Sequence, residues 1–303
     1  MSAVVKPVNL APRPPGADAA SPALQMPDRS IGAILVDAGK LSVEDAERIL
    51  ALQKREDLRF GDAAIQLGLV KPEDIQYALS QQYDYSYLPP GEYDLSRELV
   101  AAFVPFSKEV EALRALRSQL MLRWFSAAPQ RKALAIVSTL RGEGRSFLAA
   151  NLAIVFSQLG ERTLLIDADL RQPRQHELFG LPNKSGLSSL LAGRSEHDEV
   201  QRIVAFRDLS VLTAGPVPPN PLELLGRPAL PQLLARFTGE FDVVLIDTPA
   251  GIENADAQTV AARAGAAIVA VRQDHVRARQ VDELIGGLAS ANAQLIGTVL
   301  TSF

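Results

Sequence analysis

The stretch from Ala133 to Asn151 carries glycines and polar residues whose types and spacing suit phosphate chemistry. Gly142 and Gly144 allow the backbone to curl so that successive N–H groups point into one concavity. A helix predicted to start near Arg145 adds the partial positive charge of its N-terminus there. The sequence therefore predicts a nucleotide-phosphate site formed by Gly142, Glu143, Gly144, Arg145, Ser146 and Phe147.

One residue of this loop departs from the usual pattern, in which a lysine precedes Ser or Thr. Arg145 keeps the positive charge, but its side chain is longer, planar and forked, so the exchange is not neutral. Ser146 carries the hydroxyl that such loops use as a ligand for Mg²⁺. We therefore predict an ATP and Mg²⁺ site whose chemistry depends on how Arg145 is placed.

Acidic residues follow two apolar runs, at the points where each predicted strand ends. Asp167 and Asp169 follow the first run, and Asp247 follows the second. Carboxyl ends of parallel strands meet at one edge of a sheet, where such sheets bind ligands. We expect Asp167 and Asp247 to hold Mg²⁺ with Ser146, and Asp167, Asp169 and Arg145 to take part in catalysis.

The elements that must position these residues alternate between strands and helices. This order predicts an α/β fold with a doubly wound, mostly parallel sheet. The predicted strands are 133–138, 162–166, 209–213, 241–246, 266–271 and 295–300, and the main helices are 145–159, 228–237 and 277–288.

The segment before the sheet contains an internal repeat of 29 residues. Ile31-Gly32 and Gly39 in the first copy recur as Phe60-Gly61 and Gly68 in the second. Each copy is predicted to be a short helix that ends at a glycine, followed by a second helix. We expect four regions: a disordered tail (1–28), a helical tandem-repeat domain (29–93), a linker (94–107) and the phosphate-loop domain (108–303).

Composition excludes several classes of site. The 303-residue chain has no cysteine, so it has neither disulfides nor thiolate metal ligands. A net charge of −4 gives no general attraction to nucleic acid. No apolar run is long enough to cross a membrane, and no signal-peptide pattern is present, so we expect a cytoplasmic protein.

Two further patterns have both a functional and a structural interpretation. An amphipathic helix predicted over 108–125 spaces Glu111, Arg114 and Arg117 by three residues, which suits ion pairs with a neighbouring subunit or a solvated face. All five tyrosines lie between Tyr77 and Tyr93. The residues Tyr83, Tyr85, Tyr87 and Tyr93 are candidate phosphate acceptors, although 83–87 also reads as an edge strand.

The repeat resembles the N-terminal domain of type II secretion and type IV pilus assembly ATPases, some of which bind cyclic-di-GMP through a tandem motif. The second copy matches closely, whereas the first has Ser30 in place of the opening arginine. This resemblance implies a cyclic-di-GMP site at Arg29, Ser30, Gly32, Arg59 and Gly61. The alternative is that these residues form only helix ends and core, and that the domain docks a protein partner.

From about Phe106 to Phe303 the chain resembles bacterial tyrosine kinases of the exopolysaccharide chain-length-determinant family. The matching motifs are VSTLRGEGRSFLAANLA at 137–153, LLIDADLRQP at 164–173, AGPVPPNPLELL at 214–225 and VVLIDTP at 243–249. The resemblance implies Mg²⁺ and catalytic roles for Ser146, Asp167, Asp169 and Asp247, and homo-oligomers formed through the helix bearing Glu111. It also implies a separate inner-membrane chain-length-determinant partner, which would recruit the protein to that membrane.

Three functions remain open from the sequence. The first is an ATP-dependent tyrosine autokinase or ATPase that regulates exopolysaccharide chain length and export. The second is a catalytically weak, nucleotide-dependent scaffold that couples a cyclic-di-GMP signal to polysaccharide assembly. The third is a partitioning ATPase, although such proteins carry an extra lysine at the position of Leu140.

Overall fold

The computed structural model describes residues 30–82, 88, 93–195, 199–252 and 254–302. These residues form two compact units, one within Ala11–Glu92 and one within Tyr93–Phe303. Among the described helices, none is both long and apolar enough to cross a membrane. The predicted tail, the residues Tyr83, Tyr85 and Tyr87, and Arg29 lie outside the described residues.

The larger unit is built on a seven-stranded sheet with the strand order β3-β4-β2-β5-β1-β6-β7. Every described pair of neighbouring strands is parallel except β3 and β4. The strands are β1 (Ala133–Ser138), β2 (Thr163–Asp167), β3 (Gln201–Arg202), β4 (Leu209–Leu212), β5 (Val243–Asp247), β6 (Ala266–Arg272) and β7 (Gln294–Thr301).

The predicted doubly wound, mostly parallel α/β fold is confirmed. Every residue of β1, β2 and β5 is buried, as expected for central parallel strands with both faces covered. The six predicted strands are present, with bounds that shift by at most two residues. The antiparallel strand β3 was not predicted, because its two residues are too short to show an alternating pattern.

Helices cover the sheet and connect its strands. In this unit they are α5 (Val100–Phe103), α6 (Lys108–Leu120), α7 (Arg145–Ser157), α8 (Gln175–Leu178), α9 (Leu187–Leu191), α10 (Pro221–Leu225), α11 (Ala229–Glu240), α12 (Asp256–Ala264) and α13 (Ala278–Ser290). The predicted helix over 108–125 changes at Met121 into one π-helical turn, Met121–Phe125. Helix α7 is buried along almost its whole length.

The segment expected to be a linker, 94–107, is instead packed into the larger unit. Asn151 of α7, which is fully buried, accepts a hydrogen bond from Ala101 N (2.9 Å) and donates to Glu98 O (2.9 Å). Leu99, Ala101, Ala102 and Phe103 are buried as well. The sequence does not reveal this packing, because the contacts of Asn151 with the segment join residues about 50 positions apart.

The helical unit contains α1 (Ile31–Asp37), α2 (Val43–Glu56), α3 (Phe60–Gln66) and α4 (Pro72–Gln82). Its two copies end their first helices in the same way. Gly39 and Gly68 have φ angles of +67° and +65°, and the next residue donates back to the helix in each copy. Gly32 packs against the Phe60 ring, where an added Cβ would lie 3.0 Å from Cζ. The 29-residue repeat is therefore also a repeat in backbone geometry.

We predict that Asn151→Ala lowers the free energy of unfolding by about 1–3 kcal/mol, because it leaves the buried Ala101 N–H without an acceptor. Urea unfolding of the full chain measures this change. Gln232→Ala, on the exposed face of α11, is the control and should shift stability by less than about 0.5 kcal/mol. Equal effects of the two variants would contradict the role of Asn151.

Candidate nucleotide site

The loop between β1 and α7 has the backbone shape that its glycines predict. Gly142 and Gly144 have φ angles of +76° and +79°, and Gly144 is the residue immediately before α7. Side-chain-bearing residues rarely adopt these angles, so both glycines are required for the curl. The loop opens into a cleft lined by Arg141, Gly142, Gly144, Ser146, Phe147, Asp169, Arg171, Arg174 and Asn254, among others.

Glu143 fixes this loop to the neighbouring strands. Its buried carboxylate accepts hydrogen bonds from Leu140 N (2.5 Å) and Arg272 N (3.3 Å). Its carbonyl oxygen accepts a third from Thr301 Oγ1 (3.0 Å). The sequence predicts that Glu143 binds nucleotide. In the structure its carboxylate instead accepts hydrogen bonds from the backbone of the loop and of β6.

Arg145 turns inward to the ends of the central strands. Its Nη1 donates to Ser138 Oγ (2.7 Å), and its side chain is only 9% exposed. Its Nη2 donates to Asp169 Oδ2 (3.1 Å) and its Nε to Asp247 Oδ1 (3.2 Å). We call Arg145 with these three partners the arginine clasp. In this structure the clasp joins β1, β5 and the loop after β2.

The three predicted acids meet at the carboxyl edge of the sheet, as expected. Asp167 lies opposite Asp247 in the parallel register of β2 and β5, and both are fully buried. Burial and the Asp247 carboxylate hold the pKa of Asp167 well above its usual range. Burial also raises the pKa of Asp169, and the Arg145 guanidinium opposes part of that rise.

Asp167 and Asp169 have different surroundings. The Asp167 oxygens accept hydrogen bonds from the backbone N–H groups of Asp169, Arg174 and Gln175, at 2.9–3.1 Å. Asp167 therefore shapes the turn after β2. Asp167 and Asp247 are both fully buried and lie outside the described lining of the cleft. Asp169 lines the cleft directly, so it is the acid better placed to meet a substrate.

Sequence reasoning missed three residues that support this edge. Gln175 is fully buried and donates from Nε2 to Asp247 Oδ2 (2.8 Å) and Ser146 O (3.1 Å). Arg171 pairs with both oxygens of the buried Asp256. Arg171 lies within the motif at 164–173 and Gln175 lies two residues beyond it, but their partners are 29 to 85 positions away in the chain, so the motif alone does not show these contacts.

The remaining predicted site residues lie elsewhere. On α6, Glu111 is 73% exposed, while Arg114 bonds to Glu111 and Pro105 O and Arg117 donates to Val155 O. Thus both arginines already have partners within this chain.

Tyr93 is half-buried. In the helical unit, Ser30 caps α1, Arg59 is exposed at the start of α3, and Gly61 packs against Ile75.

The residues at this edge fit a magnesium nucleotide. Mg²⁺ usually takes one or two carboxylates with waters and substrate phosphates. Asp169, Asp247 and the Ser146 hydroxyl are oxygen donors of this kind. Within the described residues, no group of three or more His, Cys, Asp or Glu side chains is arranged as a metal site. Two buried oxygens, Thr139 Oγ1 and Gln175 Oε1, have no hydrogen-bond partner among the described residues.

Comparisons with known proteins support a single family. No protein-family model matches the chain. Tyrosine-protein kinase YwqD of Bacillus subtilis is 35% identical over 206 residues, which are 68% of this chain and 86% of that protein. Tyrosine-protein kinase wzc of Salmonella typhimurium is 34% identical over 205 residues, 68% of this chain and 28% of that protein.

A solved structure agrees with these relatives. The kinase domain of the Escherichia coli tyrosine kinase ETK superposes with a TM-score of 0.66 at 29% identity. The match covers 73% of this chain and 92% of the ETK chain.

We predict that Arg145→Met lowers the free energy of unfolding by about 3–5 kcal/mol near neutral pH, because buried carboxylates lose their cation. A carboxyl whose pKa is raised by folding stabilises the protein below its unfolded pKa, and that stability is lost as pH rises through the folded pKa. Removing Arg145 raises the pKa of Asp169 further, so the deficit should be larger at pH 8 than at pH 5. Urea unfolding at both pH values measures it.

Arg279→Met is the matched control. Arg279 is 90% exposed and pairs with Glu283 on α13, and such a pair contributes about 0.3–0.5 kcal/mol. If Arg145→Met behaved like this control, or if its deficit did not depend on pH, the clasp would not stabilise the fold.

Proposed function

Because the chain belongs to the bacterial tyrosine-protein kinases, we propose that it binds Mg-ATP in this cleft and transfers the γ-phosphoryl group to tyrosine hydroxyls. The observation that carries the proposal is the meeting of the phosphate loop, Arg145, Asp169 and Asp247 at one edge of the sheet. Phosphoryl transfer depends mainly on positioning and charge neutralisation, and this edge supplies both.

Each residue has a separate task in this proposal. The amides of the loop and of the first turn of α7 bind the phosphates. Asp247 and Ser146 hold Mg²⁺, which would neutralise charge on the phosphates when bound. Asp169 accepts the proton as the tyrosine oxygen bonds to the γ-phosphorus and ADP leaves. Its raised pKa makes it a better proton acceptor than an ordinary aspartate.

Arg145 does two things in this proposal. It neutralises the acids before nucleotide binds, and its guanidinium then contributes positive charge beside the transferred phosphoryl group. A forked side chain with five N–H donors can keep one acid while it turns another donor to a phosphate oxygen. This is our reason for expecting activity despite the absence of lysine at this position.

The biological setting follows from the family resemblance and is part of the proposal. Autophosphorylation on Tyr83, Tyr85, Tyr87 or Tyr93 would regulate exopolysaccharide chain length and export. The partner would be a separate inner-membrane chain-length-determinant protein. A homo-oligomer formed through α6 is implied by the same resemblance, and Glu111, which pairs with Arg114 in this chain, is the exposed residue of that pair.

Phosphotyrosine mapping by mass spectrometry after incubation with Mg-ATP tests the kinase. We expect phosphate on tyrosines between 83 and 93, and Asp169→Asn should reduce its rate by about a hundredfold or more, as for loss of a general base. Asp282→Asn, on the exposed side of α13, is the control and should match the wild type. Phosphate-free tyrosines in a protein that binds ATP would contradict the kinase and favour a scaffold.

A second candidate function is cyclic-di-GMP sensing by the helical unit. The repeat-equivalent Gln53 and Gln82 line one groove of this unit together with Ser30, Gly32 and Phe60. Residues of both repeat copies therefore line this groove, and Arg59, next to Phe60 in the chain, lies outside its described lining. In this alternative the nucleotide site is catalytically weak, and the protein couples the signal to polysaccharide assembly.

Titration of cyclic-di-GMP into the full chain tests this second function. We expect Arg59→Ala to weaken binding by about 10- to 100-fold, the effect of losing one charge-assisted hydrogen bond to phosphate. Arg55→Ala, which removes another exposed arginine of the same unit, should leave affinity unchanged. No binding by the wild type at high micromolar ligand would remove cyclic-di-GMP from the account.

A further inference from the structure

Gln175 connects two residues that the proposed reaction needs at a fixed separation. It is the first residue of α8, and it is fully buried. Its side-chain Nε2 donates to Asp247 Oδ2 (2.8 Å) at the end of β5 and to Ser146 O (3.1 Å) in the first turn of α7. One amide group therefore ties the predicted hydroxyl ligand to the predicted carboxylate ligand.

The backbone of Gln175 adds a third connection. Its N–H donates to Asp167 Oδ2 (2.9 Å) at the end of β2. Residues from β2, β5 and α7 are thus held by a single residue, on the side of Asp247 opposite to the Arg145 contact at Oδ1. Both Asp247 oxygens have a donor, so the orientation of the carboxylate is fixed.

The chemistry of the partners sets the orientation of the Gln175 amide. A carboxylate and a carbonyl oxygen only accept hydrogen bonds, so the NH₂ end must face them. Its Oε1 then points away from both and has no described partner, although it is buried. Buried acceptors in native structures nearly always have a partner, which can be an ordered water or an ion.

We propose that Gln175 is a positioning residue for Mg²⁺, an inference that rests on the proposed Mg-nucleotide site. Its NH₂ group holds the Asp247 carboxylate against the first turn of α7, so that this carboxylate and the Ser146 hydroxyl would meet the metal at a fixed separation. Residues that orient metal ligands in this way usually change metal affinity by 10- to 100-fold when they are replaced.

The test measures the affinity of a fluorescent ADP analogue for the full chain in Mg²⁺ and in EDTA. We expect Gln175→Leu, similar in size but without polar atoms, to reduce the gain in affinity caused by Mg²⁺ by about tenfold or more. Affinity in EDTA should stay within about twofold of the wild type, because the residues that bind the phosphates are not replaced and Gln175 contacts their turn only at the Ser146 carbonyl. Gln232→Leu on α11 is the control and should behave as the wild type.

A second variant keeps the test valid if Gln175→Leu unfolds, which its thermal transition would show. Gln175→Asn retains the amide but is one methylene shorter, so it cannot reach both acceptors, and it should also reduce the Mg²⁺ effect. Equal losses in Mg²⁺ and EDTA, or no loss in either, would overturn the positioning role. If the ADP affinity of the wild type were the same with and without Mg²⁺, the proposed function would be overturned, and this inference with it.

Discussion

The burial of three carboxylates at one edge of the sheet is the constraint on which the site depends. Parallel pairing of β2 with β5 places Asp167 opposite Asp247, and the turn after β2 brings Asp169 beside them. Buried like charges are unfavourable without a cation or hydrogen-bond donors. Arg145 supplies the cation and reaches two of the acids, and backbone N–H groups satisfy the third. A lysine, a compact point charge, lacks the fork that spans Ser138, Asp169 and Asp247 at once.

Several contacts around the clasp make the phosphate loop rigid. Glu143 holds the loop to β6 and β7, and Gln175 holds the start of α7 to β5. Asn151 holds the middle of α7 to the segment before α6. These supports join residues that lie far apart in the chain and together hold the loop in one geometry. Preorganisation of this kind suits phosphoryl transfer, in which positioning and fixed charges provide most of the rate.

Much of the fold was predictable because the residue patterns that specify strands and the loop each lie within a few consecutive residues. The apolar runs of β1, β2 and β5 and the glycines of the loop each reveal their role within a few residues, and Asp167, Asp169 and Asp247 follow directly. The partners of Arg145, Glu143 and Gln175 were not predictable, since they lie up to 158 residues away and depend on strand order. The segment around Ala101 was interpreted as a linker for the same reason. The side-chain oxygen that accepts the Ala101 N–H belongs to Asn151, 50 residues later in the chain.

The central claim is that Arg145 is the cation of this site until nucleotide binds. Calorimetry tests this claim by titrating the full chain with Mg²⁺ alone, with ADP alone and with ADP in the presence of Mg²⁺. The account predicts no saturable heat from Mg²⁺ alone, because the guanidinium already occupies the acids. It predicts one ADP per chain, bound about tenfold or more tightly when Mg²⁺ is present, a difference of about 1.4 kcal/mol. Saturable Mg²⁺ binding without nucleotide, or ADP binding that ignores Mg²⁺, would contradict it.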